Sequence, residues 1–293
     1  MVITANMVKE LRERTGAGMM ECKKALEAAN GDMEIAITEM RKQGQAKAAK
    51  RALKIAAEGV IVIEESADKK QASMIEVNCE TDFVARDHHF KEFTHALAKQ
   101  ALETNMTDVD ALMASTAKNG EIFEHAREEL VTKIGENVKL RRLASLVSTG
   151  IVGCYNHSDR IGVLVAVNTN NETLAKDIAI HIAASNPHAI DEANVDVALI
   201  EKEKEIFAAL SEQSGKPANI IEKMIASRVS KFLKEICLVN QPFVKNPEKT
   251  VGALLKENNT QVLAFVRFEL GEGIEKEKVD FAQEVKAQVQ RGA

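Results

Sequence analysis

An internal repeat constrains this fold more than any other feature of the chain. A gapless offset of 90 residues pairs Val77 with Val167, Asn78 with Asn168, Ala85 with Ala175, Arg86 with Lys176 and Asp87 with Asp177. Two strand-like runs around a short polar loop precede each copy. They are Val60 to Glu65 and Ala72 to Val77 in the first, and Ile151 to Tyr155 and Arg160 to Val167 in the second. A helical run comes after each: about 87–103, with Phe90, Phe93, Leu97 and Ala101 on one face, and 171–184. In the first copy a second helix near 121–134 stops at Gly135, and a strand covers 138–146. In the second, Leu255 to Asn259 and a strand at 262–270 echo Ile134 to Asn137 and its strand. Self-similarity at this offset means two related units of about 90 residues, the second interrupted by an insertion. The expected class is α+β. The duplicated core has its first repeat over 55–147 and its second over 148–186 and 240–272.

The interruption, 187–239, is helical. Val197 to Ser214 and Pro217 to Ile236 read as two helices joined by Gly215-Lys216, with Pro217 suited to a helix start. Ile200, Ile206, Phe207 and Leu210 oppose Ile220, Ile221, Met224, Ile225, Val229 and Phe232 in an antiparallel hairpin. Such a hairpin either folds back on its own domain or serves as a coiled-coil arm, with a homodimer as one use. A C-terminal helix is expected within 273–293, with Val279, Phe281, Ala282, Val285 and Val289 as its apolar face.

Residues 1–54 read as a separate three-helix head and linker. The first helix runs from Thr4, an N-cap, to about Arg14, with Gly16 free to take a left-handed C-terminal conformation. The second starts near Gly18 and carries Met19, Cys22, Leu26 and Ala29 before Asn30-Gly31. The third is capped by Asp32, buries Met33, Ile35, Ala36, Ile37 and Met40, and stops at Gly44. The basic, alanine-rich run Lys47 to Lys54 is then a linker. Charge supports a distinct module: these residues hold 11 Lys+Arg against 7 Asp+Glu, and the remainder 28 against 37. Met19 and Met20 either fill the small core or form an adaptable binding surface. The glycines before them are no phosphate cradle, since neither Gly-Lys-Ser/Thr nor a preceding strand accompanies them.

The repeat also tests Phe83. Asp82-Phe83 stands where the second copy has Glu172-Thr173, so the charge recurs and the aromatic does not. Burying a Phe side chain is worth about 1.5–3 kcal/mol, so Phe83 either packs home or meets a partner. A turn built without an aromatic in the second copy favours the partner.

Composition narrows the function classes. A net charge of −5, 4% aromatics, no Trp and a single Tyr, Tyr155, argue against a binder of nucleic acid. No apolar run approaches the ~18–20 residues that cross a membrane. Met1 to Lys9 lacks a signal-peptide pattern, so a cytoplasmic location is expected. Cys22, Cys79, Cys154 and Cys237 are far apart and read as reduced thiols. His88, His89 and His95 share a helix but lack a Cys or acid to complete a metal set. His157 and His181 are isolated, and neither a Gly-x-Ser-x-Gly elbow nor a Walker motif occurs. The chain is expected to be no enzyme and to hold neither metal nor cofactor.

The run Leu11-Arg12-Glu13-Arg14-Thr15-Gly16-Ala17-Gly18-Met19-Met20-Glu21-Cys22-Lys23-Lys24-Ala25-Leu26 and the run Glu76 to Arg86 resemble the two signature segments of the translation elongation factor Ts family. The resemblance spans essentially the whole chain. It implies a ubiquitin-associated-like head, a two-part core, a coiled-coil or dimerisation arm and a C-terminal module. It also implies guanine-nucleotide exchange on elongation factor Tu. In that family a Thr-Asp-Phe-Val segment is held to displace magnesium from the GTPase site; Thr81, Asp82, Phe83 and Val84 match it. Met19, Met20 and Lys23 offer a second contact through the head. An alternative is a non-enzymatic adaptor that binds partners through the head alone.

Overall fold

In the computed structural model, residues 3–15, 17–212 and 217–275 are described. The expected roles of Gly16 and of Gly215-Lys216, and the C-terminal helix beyond residue 275, lie outside them.

Three helices open the chain: α1 (Ala5–Thr15), α2 (Met19–Ala28) and α3 (Met33–Arg51). Their starts reflect local chemistry. The Thr4 hydroxyl accepts from Met7 N–H at 3.3 Å and Asp32 accepts from Ile35 N–H at 2.9 Å. Val8, Leu11, Cys22, Leu26, Ala29 and Ala36 form the head's core, with Met33, Ile37 and Met40 half-buried against it. Ile35, expected in that core, is exposed.

The expected stop at Gly44 does not occur. α3 continues to Arg51, and Gly44 is buried where α3 crosses the later helix α7 (Phe123–Ile134). A Cβ at Gly44 would lie 3.0 Å from Thr132 Oγ1. This glycine allows close helix packing rather than ending a helix. The residues read as a linker are therefore mostly helix. Ala48 is buried in the core of the first unit, and Lys47 pairs with Glu21 at 2.9 Å.

The first unit contains β1 (Glu58–Glu65), β2 (Gln71–Cys79), α4 (Asp82–Ala85), α5 (His88–Thr104), α6 (Val109–Ala114), α7 and β3 (Val138–Val147). The second contains β4 (Ile151–His157), β5 (Ile161–Val167) and α8 (Glu172–Ser185). The hairpin helices α9 (Val197–Glu212) and α10 (Ala218–Ile236) come next. A small ribbon, β6 (Pro242–Phe243) and β7 (Asn246–Thr250), leads to α11 (Val251–Glu257) and β8 (Val262–Glu269). The described strands form three-stranded antiparallel sheets in the orders β1-β2-β3 and β4-β5-β8. Each sheet carries a bulge, at Glu76/Val77 and at Ala166/Val167, positions that the repeat offset superimposes.

The sheets stack face to face. Ile61, Met74, Leu164 and Phe268 lie between them. Phe90, Phe93 and Leu97 cover the outer face of the first sheet, and Leu174, Ile178 and Ile182 that of the second. The result is an α+β stack of helix, sheet, sheet and helix. Alternation explains it: Val60 and Val62 face the helices while Ile61 faces the other sheet.

His181 pins the root of the hairpin. Its Nδ1 accepts from Val244 N–H at 3.2 Å, so Nε2 donates to Gln241 Oε1 at 2.9 Å. Gln241 in turn donates to Glu235 O at 2.6 Å. Burial pushes the imidazole's pKa below its ordinary 6.5, and the Gln241 contact only partly offsets this. Below 6.5 the unfolded chain binds the extra proton and the folded chain resists it, so stability rises with pH in that window. Chemical-denaturation midpoints are expected to fall as pH drops through 6.5. In His181→Gln that slope should flatten.

Candidate functional site

The turn after β2 is built from the strand outward. Cys79 is buried at the strand's end and its thiol donates to Thr81 O at 3.1 Å. Burial, then the nearby Glu136 and Glu58 carboxylates, push that thiol up to about 12, so it stays a protonated donor. Thr81 is extended (φ −127°, ψ 156°) and caps α4, its hydroxyl accepting from Val84 N–H at 3.4 Å. One helical turn then sorts four residues by face. Val84 and Ala85 enter the first unit's core. Asp82 is half-exposed and accepts from Arg86 at 2.9 Å. Phe83 stands 80% exposed. Val84 thus anchors the turn, and Phe83 is the residue presented outward.

Repeat geometry sharpens this. Asn171, in the place of Thr81, caps α8 by accepting from Leu174 N–H at 3.1 Å. Leu174, like Val84, is buried, while Thr173, in the place of Phe83, is exposed. The cap and the inward residue recur without the aromatic. Beyond that turn the two copies diverge. The first breaks after Ala85, and Asp87 caps a new helix by accepting from His89 and Phe90 N–H. In the second, α8 runs unbroken and Asp177 lies inside it, accepting from Lys245 at 2.6 Å. The shared Asp therefore opens a helix in the first copy only.

Two residues from the loop after α7 close the site. Glu136 accepts both the Thr81 N–H, at 3.0 Å, and the Thr81 hydroxyl, at 2.8 Å. Glu80 accepts Asn137 N–H at 2.7 Å and the Arg51 guanidinium at 3.2 Å. Asn137 Nδ2 donates to Lys54 O at 2.8 Å. The end of the head's third helix is thereby tied to the turn that holds Phe83. Sequence reasoning did not single out these partners. The one available signal was the recurrence of Glu136-Asn137 as Glu257-Asn258.

On the head, Met19 and Met20 open α2 and are 60% and 64% exposed, outside the helical core. Lys23 is about half-exposed beside Glu27, 3.8 Å away. These three share the start of one helix, on a different body from Thr81 to Val84. The exposed residues form a surface, and the chemistry they offer is apolar contact flanked by charge. Among the described residues, no group of three or more His, Cys, Asp or Glu is placed to hold a metal, and no helix is long and apolar enough to cross a membrane.

Comparison with known proteins places the chain in a family. The elongation factor Ts family model matches residues 80–272. Elongation factor Ts of Legionella pneumophila strain Philadelphia 1 is 54% identical over 287 residues, 98% of each chain. That of Coxiella burnetii strain RSA 493 is 56% identical over 290 residues, again 98% of each. That of Thioalkalivibrio sulfidiphilus is 55% identical over 290 residues, 98% of this chain and 99% of its own. The class is therefore that of translation elongation factors. Within it, the chain belongs to the elongation factor Ts family.

Proposed function

We propose that this chain is a guanine-nucleotide exchange factor, and not an enzyme, acting on elongation factor Tu. Phe83 carries the reading: it is 80% exposed on a capped single turn whose neighbours Val84 and Ala85 are buried. A side chain of that size held in water gains by entering an apolar slot on a partner. Phe83 wedges between helices of the GTPase, and Asp82 contacts the segment it displaces. The coordination of the GTPase's magnesium is then disturbed. That ion is often the largest local charge in a phosphate site and neutralises the nucleotide's oxygens, so disturbing it weakens nucleotide binding.

Met19, Met20 and Lys23 give the head its own contact with the same partner, supported by the exposure of both methionines. The hairpin's exposed Ile206, Leu210 and Ile220 support its use as an interaction arm, with a second copy of this chain as one occupant. Coupling is reciprocal: whatever lowers nucleotide affinity lets nucleotide lower affinity for this factor. Exchange is accelerated without a choice between GTP and GDP, and their concentrations set the direction.

Release of labelled GDP from elongation factor Tu, with and without this chain at varied magnesium, tests the reading. Acceleration that added magnesium opposes is the expected result. An unchanged release rate at saturating chain would overturn it.

A further inference from the structure

We propose that Glu136 is a positioning residue for exchange: its carboxylate, acting through Thr81, fixes the single turn that presents Phe83. The inference rests on the exchange reading above. Gly135 takes a left-handed conformation (φ 84°) at the end of α7 and turns the chain so that Glu136 meets Thr81, 55 residues earlier. The two carboxylate oxygens do separate work. Oε2 accepts the Thr81 N–H at 3.0 Å and Oε1 accepts its hydroxyl proton at 2.8 Å. With that proton committed, the lone pairs of Thr81 Oγ1 are left for Val84 N–H. Glu136 thus sets the rotamer of the cap that starts α4.

The clamp is reciprocal. Glu136 reaches the backbone beside Glu80, and Glu80 reaches back to the backbone N–H of Asn137 at 2.7 Å. Glu80-Thr81 and Glu136-Asn137 are stapled in both directions by charge-assisted bonds, the stronger kind. α4 needs this. Four residues make one turn, too short to hold a helix alone. Burial of Val84 and Ala85 fixes the turn's depth and leaves the outward residue dependent on the cap. The second unit shows the contrast. α8 has 14 residues, and Glu257, in the place of Glu136, pairs with Lys249 at 2.8 Å instead. A turn already ordered also leaves less freedom to be lost on docking.

A double-mutant cycle in the full-length chain tests this, reading the maximal rate of GDP release from elongation factor Tu separately from the half-saturating concentration. With Phe83 present, Glu136→Ala removes two charge-assisted hydrogen bonds and is expected to lower the maximal rate about ten-fold, the fold-change of one of them, since part of the loss falls on stability. In the Phe83→Ala background the same change is expected to move it by less than about two-fold, because residues acting as one unit are not additive. Equal losses in both backgrounds, or no loss in the first, would overturn the proposal. Should Glu136→Ala not fold, Thr81→Val takes its place in the same cycle, and Thr81→Ser, which keeps both donors, should retain the parent rate. If the parent chain leaves GDP release unchanged, the exchange reading fails before Glu136 is judged; if it accelerates release and Phe83→Ala does so at full rate, the exchange reading stands and this proposal falls.

Discussion

Phe83→Ala is expected to melt like the parent chain and yet to lower the maximal rate of GDP release from elongation factor Tu by roughly 10- to 150-fold. The first half comes from geometry. At 80% exposure the ring contributes little to the core, and surface substitutions away from special features stay within about 0.5 kcal/mol. The cap at Thr81 and the burial of Val84 persist without it. The second half comes from size. If the ~1.5–3 kcal/mol available from burying a Phe side chain is all directed at distorting the nucleotide site, its loss appears in the release rate in that range. Stopped-flow release of labelled GDP at saturating factor, with a thermal melt of the same preparation, measures both halves. A full-rate mutant would remove Phe83 from the mechanism.

The largest stability effect is expected at Glu76. This carboxylate is fully buried in the central strand β2 and faces the other sheet. It accepts from Arg141 at 2.9 Å, Arg142 at 2.5 Å, Gly271 N–H at 2.9 Å and Asn78 Nδ2 at 3.1 Å. The bulge makes this arrangement: Glu76 pairs with Arg142 and Val77 with Leu140, leaving Arg141 as the extra residue. Two consecutive arginines can then reach one acid. Glu76→Ala leaves Arg141 without an acid and Arg142 with Glu272 alone, each guanidinium about a quarter exposed, at a cost of about 3–5 kcal/mol. Urea midpoints of the variant and the parent check this, and a loss below about 1 kcal/mol would contradict the buried-pair account.

The pH dependence of Glu76 has a definite sign. Burial raises its pKa, but the Gly271 N–H and both arginines together hold the carboxyl below its ordinary 4.5. The stabilisation is therefore present above 4.5 and is lost as pH falls below it. An acid-unfolding curve should show this in the parent and lose it in Glu76→Gln.

What could be read from the chain divides along sequence separation. The apolar run around Ile61 and the helix spacing around Phe90, Phe93 and Leu97 located strands and the helix that covers them. The caps at Thr4 and Asp32 lay where polar side chains preceded apolar periodicity. The repeat showed that Phe83 was unnecessary to its turn, and Thr173 is indeed exposed in its place. Gly44 was misread because a glycine looks the same whether it ends a helix or lets two helices touch. Only Thr132, far along the chain, distinguishes them. Short elements such as α6 and the β6–β7 ribbon carry too few residues for a period to register.

The sequence by itself determined the two α+β units, the inserted helices and the turn that holds Phe83. Periodicity, caps and repeats are local, and each states which side of an element is apolar. Tertiary structure alone decided that Val84 turns inward, that Glu136 clamps Thr81 and that one buried acid gathers Arg141 and Arg142. Those outcomes depend on residues 55 to 195 positions apart coming together. Such pairings are chosen by how whole faces pack, and no local pattern records them.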